Sequence, residues 1–202
     1  MPESFRLVVL SQESNVSNEA EIISDLFEDG LKTLHLRKPN STIDEVRKLL
    51  KSIPNNFHTK IVIHSNYELL NDFDLRGAHL PESIRKEHRV NNSINVVSSS
   101  FHALKDIISE KMDFEYAFLS PIFQSVSKKG YLPALEQNII QDFFTFYRNQ
   151  IRFPVIALGG ITDQNILRIK EMGFSGAATL GYIWENPNPV AQLKKLQKTL
   201  RG

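Results

Sequence analysis

One short stretch decides the fold class: residues 154–165 read PVIALGGITDQN. Four apolar residues end abruptly in Gly159 and Gly160, and Thr162 and Asp163 then begin a helical pattern. A strand that leads directly into a helix is typical of a parallel sheet with helical crossovers. Since a plain turn needs one glycine at most, the second glycine indicates that another group comes close to the backbone here.

The same unit recurs along the whole chain. Apolar runs of about four to six residues, as in buried strands, occupy positions 5–10, 33–37, 60–64, 77–80, 94–98, 116–120, 154–158 and 176–180. Stretches with helical spacing of apolar residues separate them, one of which follows the plausible cap Ser41-Thr42. Eight such repeats predict an α/β fold, a (β/α)8 TIM barrel formed by residues 1–202 as a single domain. An open doubly wound sheet is the alternative.

The composition restricts the classes of function. A net charge of +1 gives no electrostatic case for binding nucleic acid or an acidic membrane surface. The chain has no cysteine, which excludes disulfides and thiolate metal sites. No apolar run approaches the roughly 20 residues of a membrane span, and the first twenty residues do not resemble a secretory signal. We therefore expect a cytoplasmic protein.

Polar residues gather at the predicted strand ends, which is where a (β/α)8 barrel carries its chemistry. Those ends contain His35, His64, His79, His102, Arg37, Lys38, Lys128 and Lys129. A purely structural barrel has no need to collect these side chains at one rim. His64 and His102 are predicted acid–base groups, because imidazole titrates near neutral pH. His79 is interpreted as a structural residue of the barrel.

Glycines at the ends of strands seven and eight predict a phosphate site. Loops after these two strands commonly bind phosphate in this architecture, and glycine lets backbone N–H groups approach the anion. The predicted phosphate cup consists of the backbone of Gly159, Gly160, Leu180 and Gly181. The alternative is that the paired glycines serve only a tight turn.

Two longer segments resemble the thiamine phosphate synthase/TenI family. Residues 153–184 read FPVIALGGITDQNILRIKEMGFSGAATLGYIW, and an upstream segment contains Ser100-Phe101-His102 followed by SPIFQSVSK at 120–128. The family has Ser-x-His and Gly-Pro-x-Phe-x-Thr-x-Thr-Lys at these places. The resemblance covers essentially the whole chain and implies a barrel that binds the thiazole phosphate half of thiamine. The residues assigned to that ligand are Ser100, Ser125 and Ser127 for binding and Lys128 for catalysis.

The chain departs from the synthase pattern at the positions for diphosphate and metal. Where the family has Gln-x-Arg-x-Lys to hold a diphosphate, this chain has His35, Arg37 and Pro39, with Lys38 one position early. Ser65 and Arg76 stand where the resemblance implies the two aspartates of a magnesium site. Because Mg²⁺ prefers oxygen ligands, usually with a carboxylate, we predict no metal site. Arg76 is expected either to replace the charge of the metal or to mark lost synthase activity.

These departures favour a TenI-like protein of thiamine biosynthesis, which isomerises a thiazole carboxylate phosphate to its aromatic tautomer. One feature runs against this interpretation, since Pro121 stands where TenI members have a histidine. The first alternative is a thiamine phosphate synthase that joins hydroxymethylpyrimidine diphosphate to thiazole phosphate and releases pyrophosphate, with Mg²⁺ as its cofactor. The second is a non-catalytic binder of a phosphorylated ligand. The expected partners are small molecules, a phosphorylated thiazole and for a synthase the pyrimidine diphosphate, and a homo-oligomer is left open.

Overall fold

Eight parallel strands close into a barrel in the order in which they occur along the chain. The computed structural model describes residues 5–87, 94–123 and 136–202. Each strand pairs with the next, and the first pairs with the last, so the sheet has no free edge. The strands are β1 (Arg6–Leu10), β2 (Thr33–Leu36), β3 (Ile61–Ile63), β4 (Gly77–Leu80), β5 (Val96–Phe101), β6 (Tyr116–Leu119), β7 (Val155–Leu158) and β8 (Gly176–Thr179).

Helices surround this barrel and cover its outer face. The α-helices of the described residues are α1 (Glu19–Glu28), α2 (Ile43–Ser52), α3 (Glu82–Lys86), α4 (Leu104–Ser109), α5 (Gln137–Tyr147), α6 (Ile166–Glu171), α7 (Gly181–Trp184) and α8 (Pro189–Arg201). Short 3₁₀ helices span Asn55–Lys60, Tyr67–Asn71 and Arg148–Gln150. None of the described helices combines the length and the apolar character that crossing a membrane requires.

The closed barrel confirms the predicted (β/α)8 TIM fold, and one predicted helix start can be checked in detail. Thr42 caps α2: its hydroxyl accepts a hydrogen bond from the backbone N–H of Glu45, and the Glu45 carboxylate accepts one from the Thr42 N–H at 2.7 Å. This reciprocal pair satisfies two N–H groups that the helix itself leaves unpaired.

The interior of the barrel contains an apolar cluster and a group of polar side chains. The apolar cluster includes residues such as Val8, Leu10, Ile156 and Ala178. The polar group comes from β2, β4, β5 and β6 and contains His35, His79, Ser98, Ser100 and Tyr116, most of them fully buried. Buried polar groups need hydrogen-bond partners, so these side chains are expected to form one network.

Strand β5 lies later in the chain than predicted. The sequence predicted residues 94–98, whereas the strand spans Val96–Phe101. The predicted run stops at Ser98, whereas Ser99, Ser100 and Phe101 also belong to the strand. Ser98 and Ser100 bond to His79, while Ser99 donates to the Leu80 carbonyl at 2.8 Å and is therefore also satisfied.

Candidate active site at the barrel mouth

The carboxyl ends of the strands and the loops after them form the mouth of the barrel. The structure brings most of the predicted site residues to this end or just beneath it: His35, Arg37, His64, Ser100, His102, Gly159, Gly160, Leu180 and Gly181. Ser125, Ser127 and Lys128, together with Lys129, lie outside the described residues. Their predicted contacts with phosphate therefore stay predictions.

The two glycines after β7 have different structural reasons. Gly159 has φ of +105°, and a Cβ atom there would lie 3.2 Å from Cα of Pro121. It is therefore required by the close approach of the loop after β6. Gly160 has φ of +63°, and its carbonyl accepts a hydrogen bond from the Asn165 side chain at 2.8 Å. The group that comes close to the backbone at Gly159 is therefore the protein's own loop after β6.

The predicted phosphate cup has N–H groups without backbone acceptors, and one carboxylate lies close to it, because Oε1 of Glu185 would be 3.0 Å from a Cβ atom at Gly181. None of the N–H groups of Gly159, Gly160, Leu180 and Gly181 donates to a backbone carbonyl of the described residues. The loops that carry them follow the adjacent strands β7 and β8. Unpaired N–H groups at neighbouring strand ends are the usual means by which this architecture holds phosphate.

Three histidines from consecutive strands meet inside the mouth, and we call His35, His64 and His79 the histidine trio. The strand register explains the meeting: His35 pairs with Val62, and Val62 pairs with Gly77. Paired residues of a parallel sheet share a face, and so do residues two apart. His64 and His79 therefore lie at one level and His35 lies beneath them. The rings of His64 and His79 stack with centroids 4.2 Å apart.

Hydrogen bonds fix the orientation of the trio. Nδ1 of His35 lies 2.8 Å from Nε2 of His64, and Nε2 of His35 lies 2.6 Å from the Tyr116 hydroxyl. His79 contacts Ser98 through Nδ1 at 2.9 Å and Ser100 through Nε2 at 2.8 Å. His35 and His79 thus have a partner on both ring nitrogens, which accounts for their burial. The hydroxyl of Ser100, which was predicted to bind substrate, makes its hydrogen bond with His79.

Burial keeps the trio uncharged at neutral pH. It lowers the pKa of His35 and His64 well below the usual value, with a further contribution from the neighbouring His79, and it lowers the pKa of His79 to about 3. The nearby cation Arg37 acts in the same direction on His64 and His79. Burial also raises the pKa of the Tyr116 phenol, which therefore keeps its proton.

His102 differs from the trio because it is exposed at the mouth. It follows β5 directly, and its Nδ1–H donates to the carbonyl oxygen of Ser120 at 2.8 Å. A carbonyl oxygen only accepts, so the proton of the neutral ring lies on Nδ1. Nε2 then carries the lone pair that an acid–base catalyst needs.

The two cations after β2 have separate roles. Arg37 is half-buried at the mouth and forms an ion pair with Glu13 from the loop after β1. The neighbouring Lys38 points away, toward α1, where its ammonium donates to Glu19 and to the Ser14 carbonyl, both at 2.7 Å. The reading of Lys38 as a rim cation is therefore wrong, because successive residues of an extended chain point to opposite sides.

Removing the charge of Lys38 should destabilise the fold. Lys38 and Glu19 are only 2% and 4% exposed, so Lys38→Met leaves a buried carboxylate without its cation. We expect the free energy of unfolding to fall by about 3–5 kcal/mol in urea denaturation, and the double variant with Glu19→Gln to recover part of that loss. Lys194→Met, which breaks an exposed pair with Asp29, should cost less than about 1 kcal/mol. An equally small loss for Lys38→Met would contradict this role.

Arg76 lies at the other end of the barrel from the mouth. It precedes β4, donates to Thr33 at the start of β2 at 2.9 Å, and pairs with Glu115 just before β6. The expectation that Arg76 replaces the charge of a metal at the site is therefore wrong. Residues just before a strand lie at the amino end of the barrel. Counting positions from a sequence motif does not show at which end of the barrel a residue lies.

The described residues do not fit a magnesium site made of carboxylates. Acidic residues that follow β1, β4 and β7 pair with a cation: Glu13 with Arg37, Glu82 at the start of α3 with Lys86 at 2.9 Å, and Asp163 with Lys195 at 2.8 Å. Asp72, in the segment between β3 and β4, pairs with Arg47 of α2 at 2.9 Å. The position after β3 is occupied by His64 and Ser65.

Comparison with known proteins decides the family. The family model described as thiamine monophosphate synthase matches residues 6–183. The chain belongs to the thiamine monophosphate synthase family. The solved structure of a thiamine phosphate pyrophosphorylase from Bacteroides thetaiotaomicron is 30% identical, with 98% of each chain covered and a TM-score of 0.80.

Two further similar proteins are more distant, one found by sequence and one by fold. A thiamine-phosphate synthase of Desulfitobacterium hafniense strain Y51 is 24% identical over 187 residues, which cover 89% of this chain and 88% of the relative. A thiamine phosphate pyrophosphorylase from Pyrococcus furiosus has a TM-score of 0.77 at 15% identity, covers 99% of this chain and 97% of its own, and shows the shared fold. The relatives are enzymes, as expected for a protein of thiamine biosynthesis.

The histidine trio is the part of the site that the sequence did not reveal. His35 and His64 were assigned separate roles, and His79 was interpreted as structural. A signal was present in the alternation of polar residues along the strands, since His35, His79, Ser98 and Ser100 all occupy inward positions. Only the register between strands shows that these residues form one cluster.

Proposed function

We propose that this protein binds a phosphorylated thiazole at the barrel mouth and isomerises it by proton transfer, in the manner of a TenI-type tautomerase. The observation that carries the proposal is His102, an exposed imidazole whose Nδ1–H donates to the Ser120 carbonyl and whose Nε2 has no hydrogen-bond partner among the described residues. The reaction removes a proton from one position of the substrate and returns one at another. It has no leaving group, so no metal is needed to neutralise a departing anion.

The spacing of the strands supports a common substrate for His102 and the phosphate cup. His102 follows β5, and Gly159 and Gly160 follow β7, two strands further round the barrel. Neighbouring strands are about 4.8 Å apart, so the ends of β5 and β7 are separated by roughly 10 Å along the rim of the barrel, with the end of β6 between them. A small ring that carries a phosphate arm fits such a span, with its phosphate on the cup and its ring near His102.

A thiamine phosphate synthase is the second candidate, and the names of the relatives favour it. This reaction expels pyrophosphate, and a diphosphate can be neutralised by arginine and lysine as well as by a metal. Arg37 is the described cation at the mouth, although Glu13 already pairs with it. The shortage of free positive charge among the described residues is the reason for ranking this candidate second. A non-catalytic binder of phosphorylated ligands is the third.

One experiment separates these candidates. The protein is incubated with the thiazole carboxylate phosphate alone, and in parallel with thiazole phosphate plus hydroxymethylpyrimidine diphosphate, each with and without Mg²⁺. We expect formation of the aromatic tautomer at the same rate in both metal conditions, and at most traces of thiamine phosphate. Robust magnesium-dependent thiamine phosphate formation would establish the synthase instead, and binding without turnover would establish the binder.

The phosphate cup makes its own prediction about affinity. Gly160→Leu places a side chain beside the proposed anion site, and we expect the affinity for the phosphorylated thiazole to fall about 10- to 100-fold in calorimetric titration, equivalent to one or two lost charge-assisted hydrogen bonds. Gly30→Leu is the matched control, because Gly30 also has a positive φ but lies before β2 at the opposite end of the barrel. Unchanged affinity in Gly160→Leu would place the phosphate elsewhere.

A further inference from the structure

The histidine trio has the composition of a metal site. Each of its members offers one ring nitrogen, and the three nitrogens lie within 4.8 Å of one another. In the described part of the chain it is the only grouping of three or more His, Cys, Asp or Glu residues at this spacing. We propose that His35, His64 and His79 bind a divalent first-row transition metal ion, with Zn²⁺ as the best match.

The geometry requires only small movements of the side chains. Zn–N bonds of about 2.0–2.1 Å in a tetrahedral site place ligand nitrogens about 3.3 Å apart. The facing nitrogens of His35 and His64 are 2.8 Å apart, and one nitrogen from each ring can be chosen so that all three lie within 4.8 Å of one another. Displacements of about an ångström would therefore bring all three nitrogens to bonding distance. His64 is the partly exposed member of the trio, so we expect a fourth ligand of the ion to enter from the mouth.

The outer nitrogens of the trio already have the partners that metal-binding histidines usually have. The Tyr116 hydroxyl contacts Nε2 of His35 at 2.6 Å, and Ser98 contacts Nδ1 of His79 at 2.9 Å. Such contacts fix the ring orientation and the tautomer of a ligand. They leave Nδ1 of His35 and Nε2 of His79 for the ion, which would replace the present contact of His79 with Ser100.

The ligand type selects the metal. Imidazole suits Zn²⁺, Cu²⁺, Ni²⁺ and Fe²⁺, whereas Mg²⁺ requires carboxylate, carbonyl and water oxygens. Three histidines with one open position form a known arrangement of zinc enzymes. Arg37, whose charge acts on His64 and His79, and Arg76, whose charge acts on His35, oppose a dication. Their ion pairs with Glu13 and Glu115 offset this repulsion. The open position would take water or an anionic oxygen of a small molecule.

This inference rests on the histidine trio and not on the proposed isomerisation, so the two can fail separately. The test uses the full chain, stripped with a chelator and titrated with Co²⁺, Zn²⁺ and Mg²⁺ without any thiazole substrate. We expect one equivalent of Co²⁺ to bind with the visible absorption of a four-coordinate site, Zn²⁺ to displace it and to raise the unfolding temperature, and Mg²⁺ to do neither.

Variants assign the site to these residues. His64→Gln and His79→Gln should each weaken Zn²⁺ binding by at least about 100-fold, and Tyr116→Phe by about 10- to 100-fold, the usual effect of removing an outer partner. His102→Gln, which removes an exposed histidine outside the trio, should leave Zn²⁺ binding unchanged. Circular dichroism identifies variants that have lost the fold.

The wild-type titration keeps the proposal falsifiable even if the trio variants do not fold. Absence of a Co²⁺ band and of any Zn²⁺-dependent stabilisation in the wild-type chain would overturn it. So would Zn²⁺ binding of wild-type strength in a folded His64→Gln chain, or a loss of that binding in His102→Gln.

Discussion

Replacing His102 with glutamine should lower kcat of the isomerisation by about 10²- to 10⁴-fold, the usual contribution of a positioned acid–base group. Glutamine can still donate to the Ser120 carbonyl, which His102 now holds at 2.8 Å, but it cannot take up a proton. The phosphate cup is untouched by this change, so KM should move little. Steady-state kinetics with the thiazole carboxylate phosphate measures both quantities.

The matched control for His102 is Lys105→Gln. Lys105 is an exposed residue of α4, three positions further along the chain, and its replacement should leave kcat within about twofold. A decrease of less than about threefold in His102→Gln would remove His102 from the chemistry. A large rise in KM at constant kcat would make it a binding residue.

Acid should destabilise this protein strongly, beginning well above the range in which carboxylates titrate. Burial lowers the pKa of all three members of the histidine trio in the folded chain, that of His79 to about 3, whereas an unfolded histidine titrates near 6.5. Between these values the unfolded chain binds protons that the folded chain does not. The stability that the uncharged trio contributes is therefore fully present above about pH 6.5 and is lost as the pH falls. Each histidine contributes up to about 1.4 kcal/mol per pH unit.

The free energy of unfolding is measured by urea denaturation between pH 7.5 and pH 5, with protein that a chelator has stripped of metal. The charges that face the trio act in the same direction, because Arg37 lowers the pKa of His64 and His79 and Arg76 lowers that of His35. We expect His79→Asn to reduce the number of protons taken up on unfolding by about one. His102 is an exposed histidine outside the trio, so His102→Gln should leave the proton uptake of the trio unchanged. A free energy of unfolding that stays constant over this range would show that the trio is hydrated or charged in the folded chain.

The sequence was sufficient for the fold because the strand–helix repeat is local. Eight apolar runs, each followed by a helical pattern, can be recognised without any knowledge of long-range contacts, and the closed barrel agrees with them. The wrong predictions concern the side to which a residue points and the end of the barrel at which it lies. Lys38 follows Arg37 directly, yet it turns to Glu19 on the outer side of the strand, and Arg76 lies before its strand and not after it. Alternation along a strand and the polarity of the barrel both have to be considered at each residue.

The histidine trio shows a second limit of sequence reasoning. His35, His64 and His79 are separated by 29 and 15 residues, and no local motif connects them. Their meeting depends on the register of β2, β3 and β4, which is set by the packing of the whole barrel. The polar partners Ser98 and Tyr116 come from still later strands. A cluster of this kind becomes visible only when the pairing of the strands is known.

The most direct test of the proposed chemistry is the conversion of the thiazole carboxylate phosphate by the wild-type chain in buffer without added Mg²⁺. Proton NMR in D₂O follows the aromatic product and shows whether solvent deuterium enters at the position that receives the proton. Our account predicts formation of the aromatic tautomer well above the rate without protein, together with a large loss of that rate in His102→Gln. A rate equal to the protein-free background, with thiamine phosphate formed once Mg²⁺ and both synthase substrates are supplied, would contradict it.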